Sequence, residues 1–279
     1  MSSYVTDWRF ESPLPTLALF AALYAIGLRR RVNRRGVGAE AALFAAGLGV
    51  LVLAFASPLA ALGDRLFWAH MTQHVLLLAV APPLILLSRP WATSWRALPL
   101  DVRRPLARGL AQGRWARPLR AAARGLAPPL VALGLFCGIL FVWHVPALFD
   151  ATLRSGTAHV AEHATFLAAG LLLWSQLIDS PPLRSRLGSP ARALYALFAV
   201  AAGTVLTLVL VLAPSALYAG YADLASRPGG ISALADQRLA AGIMWVPGSI
   251  PFVAAFLVLV YRWLDEESGP RAAHLVAGR

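Results

Sequence analysis

Long apolar runs place the strongest limit on how this chain can fold. Each run approaches the ~20 residues that a helix needs to cross ~30 Å of hydrocarbon. The apolar share of the 279 residues is 58% and the mean hydropathy is +0.65, which exceeds the values typical of soluble domains. The sequence therefore predicts an all-α membrane protein, a seven-transmembrane-helix bundle in one domain over residues 1–279. The predicted spans are about 14–28, 39–57, 66–87, 126–143, 158–178, 192–212 and 237–261.

Arginine placement predicts how the helices are oriented. All 25 basic residues are arginine. Of these, 20 lie on one side of the predicted bundle, in or next to every second connection between spans and in the C-terminal tail. Because loops with excess basic residues stay in the cytoplasm, we expect the N-terminus outside and the C-terminus inside a bacterial inner membrane. Membrane anchoring then accounts for the net charge of +12, and no nucleic-acid partner is expected. The basic cytoplasmic segment 88–125 has tryptophans between its arginines, which predicts amphipathic helices on the inner membrane surface.

Histidines form the most informative pattern inside the apolar runs. His70 and His74 are four residues apart, His159 and His163 repeat this spacing, and His144 ends the run between them. An i,i+4 pair places both rings on one face of a helix. The predicted topology brings all five to the outer, periplasmic side, and ionisable residues within hydrocarbon are functional candidates by default. The sequence thus predicts a metal or haem site there.

Other side chains extend this predicted site. Met244 lies in the last apolar run, and a thioether combined with imidazoles favours copper, especially Cu(I). Gln73, Glu162 and Asp236 are candidates for orienting the ligands. The single cysteine, Cys137, matches no cysteine metal motif, so it is interpreted as a packing residue.

Four motifs lie at the polar ends of these runs. They are His-Met-Thr-Gln-His-Val-Leu-Leu at 70–77 with Pro82-Pro83, His-Val-Pro-Ala-Leu-Phe-Asp at 144–150, His-Val-Ala-Glu-His-Ala-Thr-Phe at 159–166, and Asp-Gln-Arg-Leu-Ala-Ala-Gly-Ile-Met-Trp-Val-Pro-Gly at 236–248. As a set, over about residues 50–260, they resemble the CtaG-type cytochrome c oxidase assembly factors. The resemblance implies a non-enzymatic inner-membrane protein that assists haem-copper oxidase subunits, plausibly by delivering copper. Phe149 replaces a family-typical tyrosine and Arg238 follows Asp236-Gln237, but neither residue is a proposed ligand.

Other functions remain open from the residues alone. His159, Glu162 and His163 match the inverted zincin order, in which two histidines bind zinc and the glutamate acts as general base. Histidines on different helices could also be axial ligands of haem b. A scaffold whose histidines line a polar cavity is a further alternative. The spacing is compatible with one ion shared by both histidine pairs and with one ion at each pair, and it does not define the oligomeric state.

Overall fold

The computed structural model describes Trp8 and residues 13–277, with side chains up to residue 268, and this part of the chain is helical without a β-strand. A π-helical turn, Leu76–Val80, joins two α-helices, and a 3₁₀ turn, Pro228–Gly230, precedes the last helix. The helices are α1 Leu14–Arg29, α2 Val37–Ala56, α3 Pro58–Gly63, α4 Phe67–Val75, α5 Ala81–Leu87, α6 Pro90–Trp95, α7 Leu100–Gln112, α8 Arg117–Leu126, α9 Pro129–Trp143, α10 Pro146–Arg154, α11 Gly156–Leu177, α12 Ser189–Leu212, α13 Ala219–Ala222 and α14 Ala233–Ala277.

Four helical stretches in the described residues are long and apolar enough to cross a membrane. They are Val37–Ala56, Phe67–Leu87, Ser189–Leu212 and Ala233–Ser268. The protein is therefore a helical membrane protein. The predicted count of seven spans stays a prediction, because α1 has only 16 residues and α11 has polar residues near its start. The orientation of the termini stays a prediction as well, because it rests on the arginine pattern.

The predicted span at 126–143 differs from the observed structure at its beginning. Helices α8 and α9 are bent by 82° relative to each other, and together they could count as a fifth span. Pro128 and Pro129 lie at this bend. Proline lacks the backbone N–H and clashes with the preceding turn, so the helix is interrupted here although the sequence remains apolar on both sides.

The basic segment 88–125 folds into short helices, of which α6 packs against α1 and buries Pro90 and Thr93, whereas α7 and α8 lie on the surface. Neither α7 nor α8 buries a residue, and both expose apolar side chains, such as Val102 and Leu119, as well as arginines. This is the amphipathic helical form that the sequence predicts, whereas the position on the inner membrane surface stays a prediction.

Prolines also reshape the stretch that contains the first histidine pair. Pro82 cannot donate to the carbonyl of Leu78, and the backbone relaxes into the π-helical turn just before it. The indole of Trp174 donates a hydrogen bond of 3.1 Å to the freed Leu78 carbonyl. Gly170 lies where α11 crosses this turn, and a Cβ there would come within 2.8 Å of the Leu78 oxygen. A proline-induced bulge and a glycine therefore set the close approach of α11 to the α4–α5 stretch.

Candidate metal centre

Three helix ends bring the predicted histidines to one place. Helix α4 carries His70 and His74 in its middle and last turn, α11 carries His159 and His163 near its start, and His144 ends α9. Pro146, two residues after His144, begins α10 and prevents α9 from continuing. Ser155 caps α11 by accepting a hydrogen bond from the Ala158 amide. The local sequence thus starts or stops two of these helices within a few residues of a histidine.

A group of three imidazoles and one carboxylate forms the centre of the cluster. We call it the carboxylate set: its ligand atoms all lie within 4.8 Å of one another. His70 Nε2 is 3.2 Å from Glu162 Oε2, and the Nε2 atoms of His159 and His163 are 3.2 Å apart. Three members are buried and His159 is half-buried, so access from outside is past His159. The set consists of His70, His159, Glu162 and His163.

Tyr221 orients the imidazole of His70. Its hydroxyl donates to the Gly63 carbonyl and lies 3.1 Å from His70 Nδ1. Burial raises the pKa of Tyr221, which lies on α13 outside the predicted spans, well above its ordinary value, so the hydroxyl keeps its proton. Because that single proton goes to Gly63, the hydroxyl must accept from Nδ1 of His70. The nitrogen left to bind a metal is therefore Nε2, which faces the carboxylate set 3.2 Å from Glu162 Oε2.

His144 is oriented in the same way by a backbone carbonyl. Its Nδ1 lies 2.7 Å from the Leu140 oxygen, an acceptor, so this nitrogen carries the proton. Its Nε2 lies 3.2 Å from the sulfur of Met71, a fully buried residue. A neutral His144 therefore directs a lone pair at a thioether.

His74 lies between the carboxylate set and His144. Its ring centroid is 5.4 Å from that of His163 and 5.9 Å from that of His144. Within the described part of the chain, neither ring nitrogen makes a hydrogen bond, although Nε2 lies 3.5 Å from Glu162 Oε1. Buried polar atoms are normally paired, so an imidazole in this state is a candidate ligand. We call His74, His144 and Met71 the thioether set.

The predicted orienting residues have different roles in the structure. Glu162 contacts both His70 and His74, so it belongs to the cluster itself. Asp236 accepts hydrogen bonds of 2.9 Å from the amides of Phe67 and Trp68 and so caps α4. Gln73 donates to the Ala54 carbonyl at 2.6 Å and attaches α4 to α2. Asp236 and Gln73 thus hold the helix that carries the histidines.

The methionine next to the imidazoles is not the one that the sequence singled out. Met244 lines a cavity of about 50 Å³ together with His74 and His144, whereas the sulfur of Met71 contacts His144 directly. Met71 follows His70 in the sequence, so it lies off the face that an i,i+4 argument considers. Tyr221 was also missed, because it lies 151 residues from His70 in a connecting segment. No sequence spacing could have linked the two.

The chain is similar to known proteins over most of its length. Residues 22–266 match the family model described as cytochrome c oxidase caa3 assembly factor, which confirms the resemblance of the motifs. Uncharacterized proteins of Mycobacterium bovis and Mycobacterium tuberculosis are each 30% identical to the chain over 270 residues. That match covers 94% of this chain but only 40% of each mycobacterial protein. No solved structure matches the chain. The chain belongs to the cytochrome c oxidase caa3 assembly factor family.

Proposed function

We propose that the chain binds copper at the carboxylate set and supports its delivery to a haem-copper oxidase in the bacterial inner membrane. The observation that carries the proposal is the convergence of three imidazoles and one carboxylate from two helices, with all ligand atoms within 4.8 Å. Imidazole is a good ligand for copper, and an ion would satisfy nitrogen lone pairs that are otherwise expensive in hydrocarbon.

Charge supports a monovalent ion. Metal ligation requires neutral imidazoles and an ionised carboxylate, and in that form the carboxylate set has one negative charge on the fully buried Glu162. Burying a net charge is costly, and one Cu(I) would neutralise it. A divalent ion at the same ligands would leave one positive charge. This balance favours Cu(I) over Zn²⁺.

Exposure supports exchange with a partner. His159 is half-buried while the other three members are buried, so a cargo ion would enter and leave past His159. In the predicted orientation this edge faces the periplasm, and an oxidase subunit in the same membrane could receive copper there by lateral docking. The family description supports an oxidase as the partner. Because the chain spans about two fifths of the length of its mycobacterial relatives, the partner of the whole protein is part of the proposal.

The alternatives gain no support. In a zinc hydrolase the glutamate would face a metal-bound water, yet both carboxylate oxygens of Glu162 are directed at imidazoles, 3.2 Å and 3.5 Å away. For haem, the imidazoles are too close together: the ring centroids of His70 and His163 are 5.4 Å apart, and the adjacent cavity of about 50 Å³ cannot hold a porphyrin.

Metal analysis of the purified chain tests the proposal. We expect the wild type to retain Cu(I) after anaerobic loading and desalting, and the variants His159→Ala and Glu162→Gln to lose the ion of the carboxylate set. In cells lacking the gene, wild-type chain should restore copper-dependent oxidase activity and these variants should not.

The matched control is His274→Ala, which removes the one histidine that the sequence places away from the other five. It should bind copper like the wild type. Equal copper content in the wild type, His159→Ala and Glu162→Gln would contradict the proposal, as would a wild type that binds none.

A further inference from the structure

The thioether set is arranged so that two acceptor atoms face each other in a buried position. His144 must keep its proton on Nδ1, because that nitrogen faces the Leu140 carbonyl at 2.7 Å. Its Nε2 lone pair therefore meets the Met71 sulfur, itself only a weak acceptor, at 3.2 Å. Neither atom can donate a hydrogen bond to the other. A cation that lies to one side and contacts both atoms would replace this unfavourable contact with two bonds.

The spacing suits a single metal ion. Bonds from a metal to nitrogen and sulfur are about 2.0 Å and 2.3 Å long, and their sum exceeds 3.2 Å, so one ion can contact both atoms. His74 is the neighbouring imidazole, 5.9 Å from His144 between centroids, and its nitrogens make no hydrogen bond in the described part of the chain. His74 and His144 also line the cavity of about 50 Å³, which leaves room for local adjustment.

The ligand types select the metal. Two neutral imidazoles and a thioether form an uncharged, soft donor set, which is suited to Cu(I) and unsuited to hard cations. The carboxylate set differs, because it holds a carboxylate and no sulfur. His74 connects the two sets, since its Nε2 lies 3.5 Å from Glu162 Oε1.

We propose that His74, His144 and Met71 form a second Cu(I) site, adjacent to the carboxylate set and joined to it through His74. This inference rests on the proposed function, because the second site would hold cargo received from the first. The ion stays monovalent throughout, so no electron is needed when it moves between the sets. The two proposed sites thus follow the helix crossings and not the sequence pairs: His70 joins the α11 pair, and His74, whose ring lies 5.4 Å from His163 and 5.9 Å from His144, is the imidazole that the second site shares with the carboxylate set.

Cu(I) loading of full-length protein in detergent tests the second site. The wild type should hold two Cu(I) per chain, and its copper X-ray absorption should show a sulfur scatterer near ~2.3 Å. Met71→Leu, which nearly preserves side-chain volume, should hold one Cu(I) and lose the sulfur signal. His159→Ala should also hold one Cu(I) but keep the sulfur signal.

Met244→Leu is the matched control, since it removes the thioether that lines the cavity beside His74 and His144 and should change neither stoichiometry nor sulfur scattering. Selenomethionine labelling in the Met244→Leu background adds a measurement that does not depend on the folding of Met71→Leu: selenium should then report a copper neighbour. Two Cu(I) with sulfur scattering intact in Met71→Leu would overturn the second site. If the wild type held one Cu(I) and only His159→Ala lost it, the second site would be overturned and the proposed function would stand. If the wild type held none, the second site and the proposed function would both be overturned.

Discussion

Gly170→Ala perturbs the contact that positions α11 against the π-helical turn. A Cβ at this position would lie 2.8 Å from the Leu78 carbonyl oxygen, 2.9 Å from Pro82 Cγ and 3.1 Å from the Leu77 carbonyl oxygen. Two of these atoms belong to the backbone and the third to a proline ring, so none can move aside by a simple rotation. The helix must therefore shift as a unit.

Two opposing effects set the size of the change. Alanine is about 1 kcal/mol more favourable than glycine inside a helix. Overpacking a filled interface costs about 1 to 3 kcal/mol. Gly138→Ala in α9 supplies the first effect alone, because nothing lies within 4 Å of its added Cβ. Both variants have the propensity effect, so their difference measures the overpacking. We expect Gly170→Ala to be less stable than Gly138→Ala by about 1 to 3 kcal/mol.

Unfolding of both variants in the same detergent, followed by circular dichroism, measures this difference. Cu(I) affinity provides a second readout: Gly170 follows His163 by two helical turns, so a displaced α11 would move the ligands of the carboxylate set away from His70. Affinity should fall in Gly170→Ala and not in Gly138→Ala. If Gly170→Ala matched Gly138→Ala in both stability and affinity, the close approach at Gly170 would not position the site.

Three further predictions concern groups around the site and at the opposite end of α11. Tyr221→Phe should weaken Cu(I) binding about 10- to 100-fold in a competition titration, because His70 loses the partner that fixes its tautomer; unchanged affinity would refute that role. Asp236→Ala leaves the buried amide of Phe67 and the partly buried amide of Trp68 without their acceptor, so thermal unfolding should show a loss of about 1 to 3 kcal/mol. Asp179, in the connection after α11, has a pKa below its ordinary value. Burial raises this pKa, but the paired hydrogen bonds from Arg192 at 2.9 and 3.1 Å contribute to a larger decrease. A carboxylate with a lowered pKa stabilises the fold above its unfolded pKa, so the advantage of the wild type over Asp179→Asn should be full at pH 7 and disappear as pH falls below about 4. An advantage independent of pH would contradict the assignment to this ion pair.

Much of the architecture follows from the sequence by itself, because it depends on local rules. Apolar runs near the length of a bilayer predicted the helical membrane protein, and the motifs predicted the family. The i,i+4 spacing predicted that His159 and His163 face each other, and their Nε2 atoms lie 3.2 Å apart. These features depend only on helical periodicity, which is the same in every α-helix.

The tertiary structure alone decided how the helices combine their ligands. Which imidazole meets which depends on crossing positions, and these are set by the π-helical turn before Pro82 and by the close approach at Gly170. That geometry placed Met71, and not Met244, against His144, and brought Tyr221 to His70 from a distant segment. Spacing along one helix cannot contain this information, because contacts between helices are fixed by packing of the whole bundle.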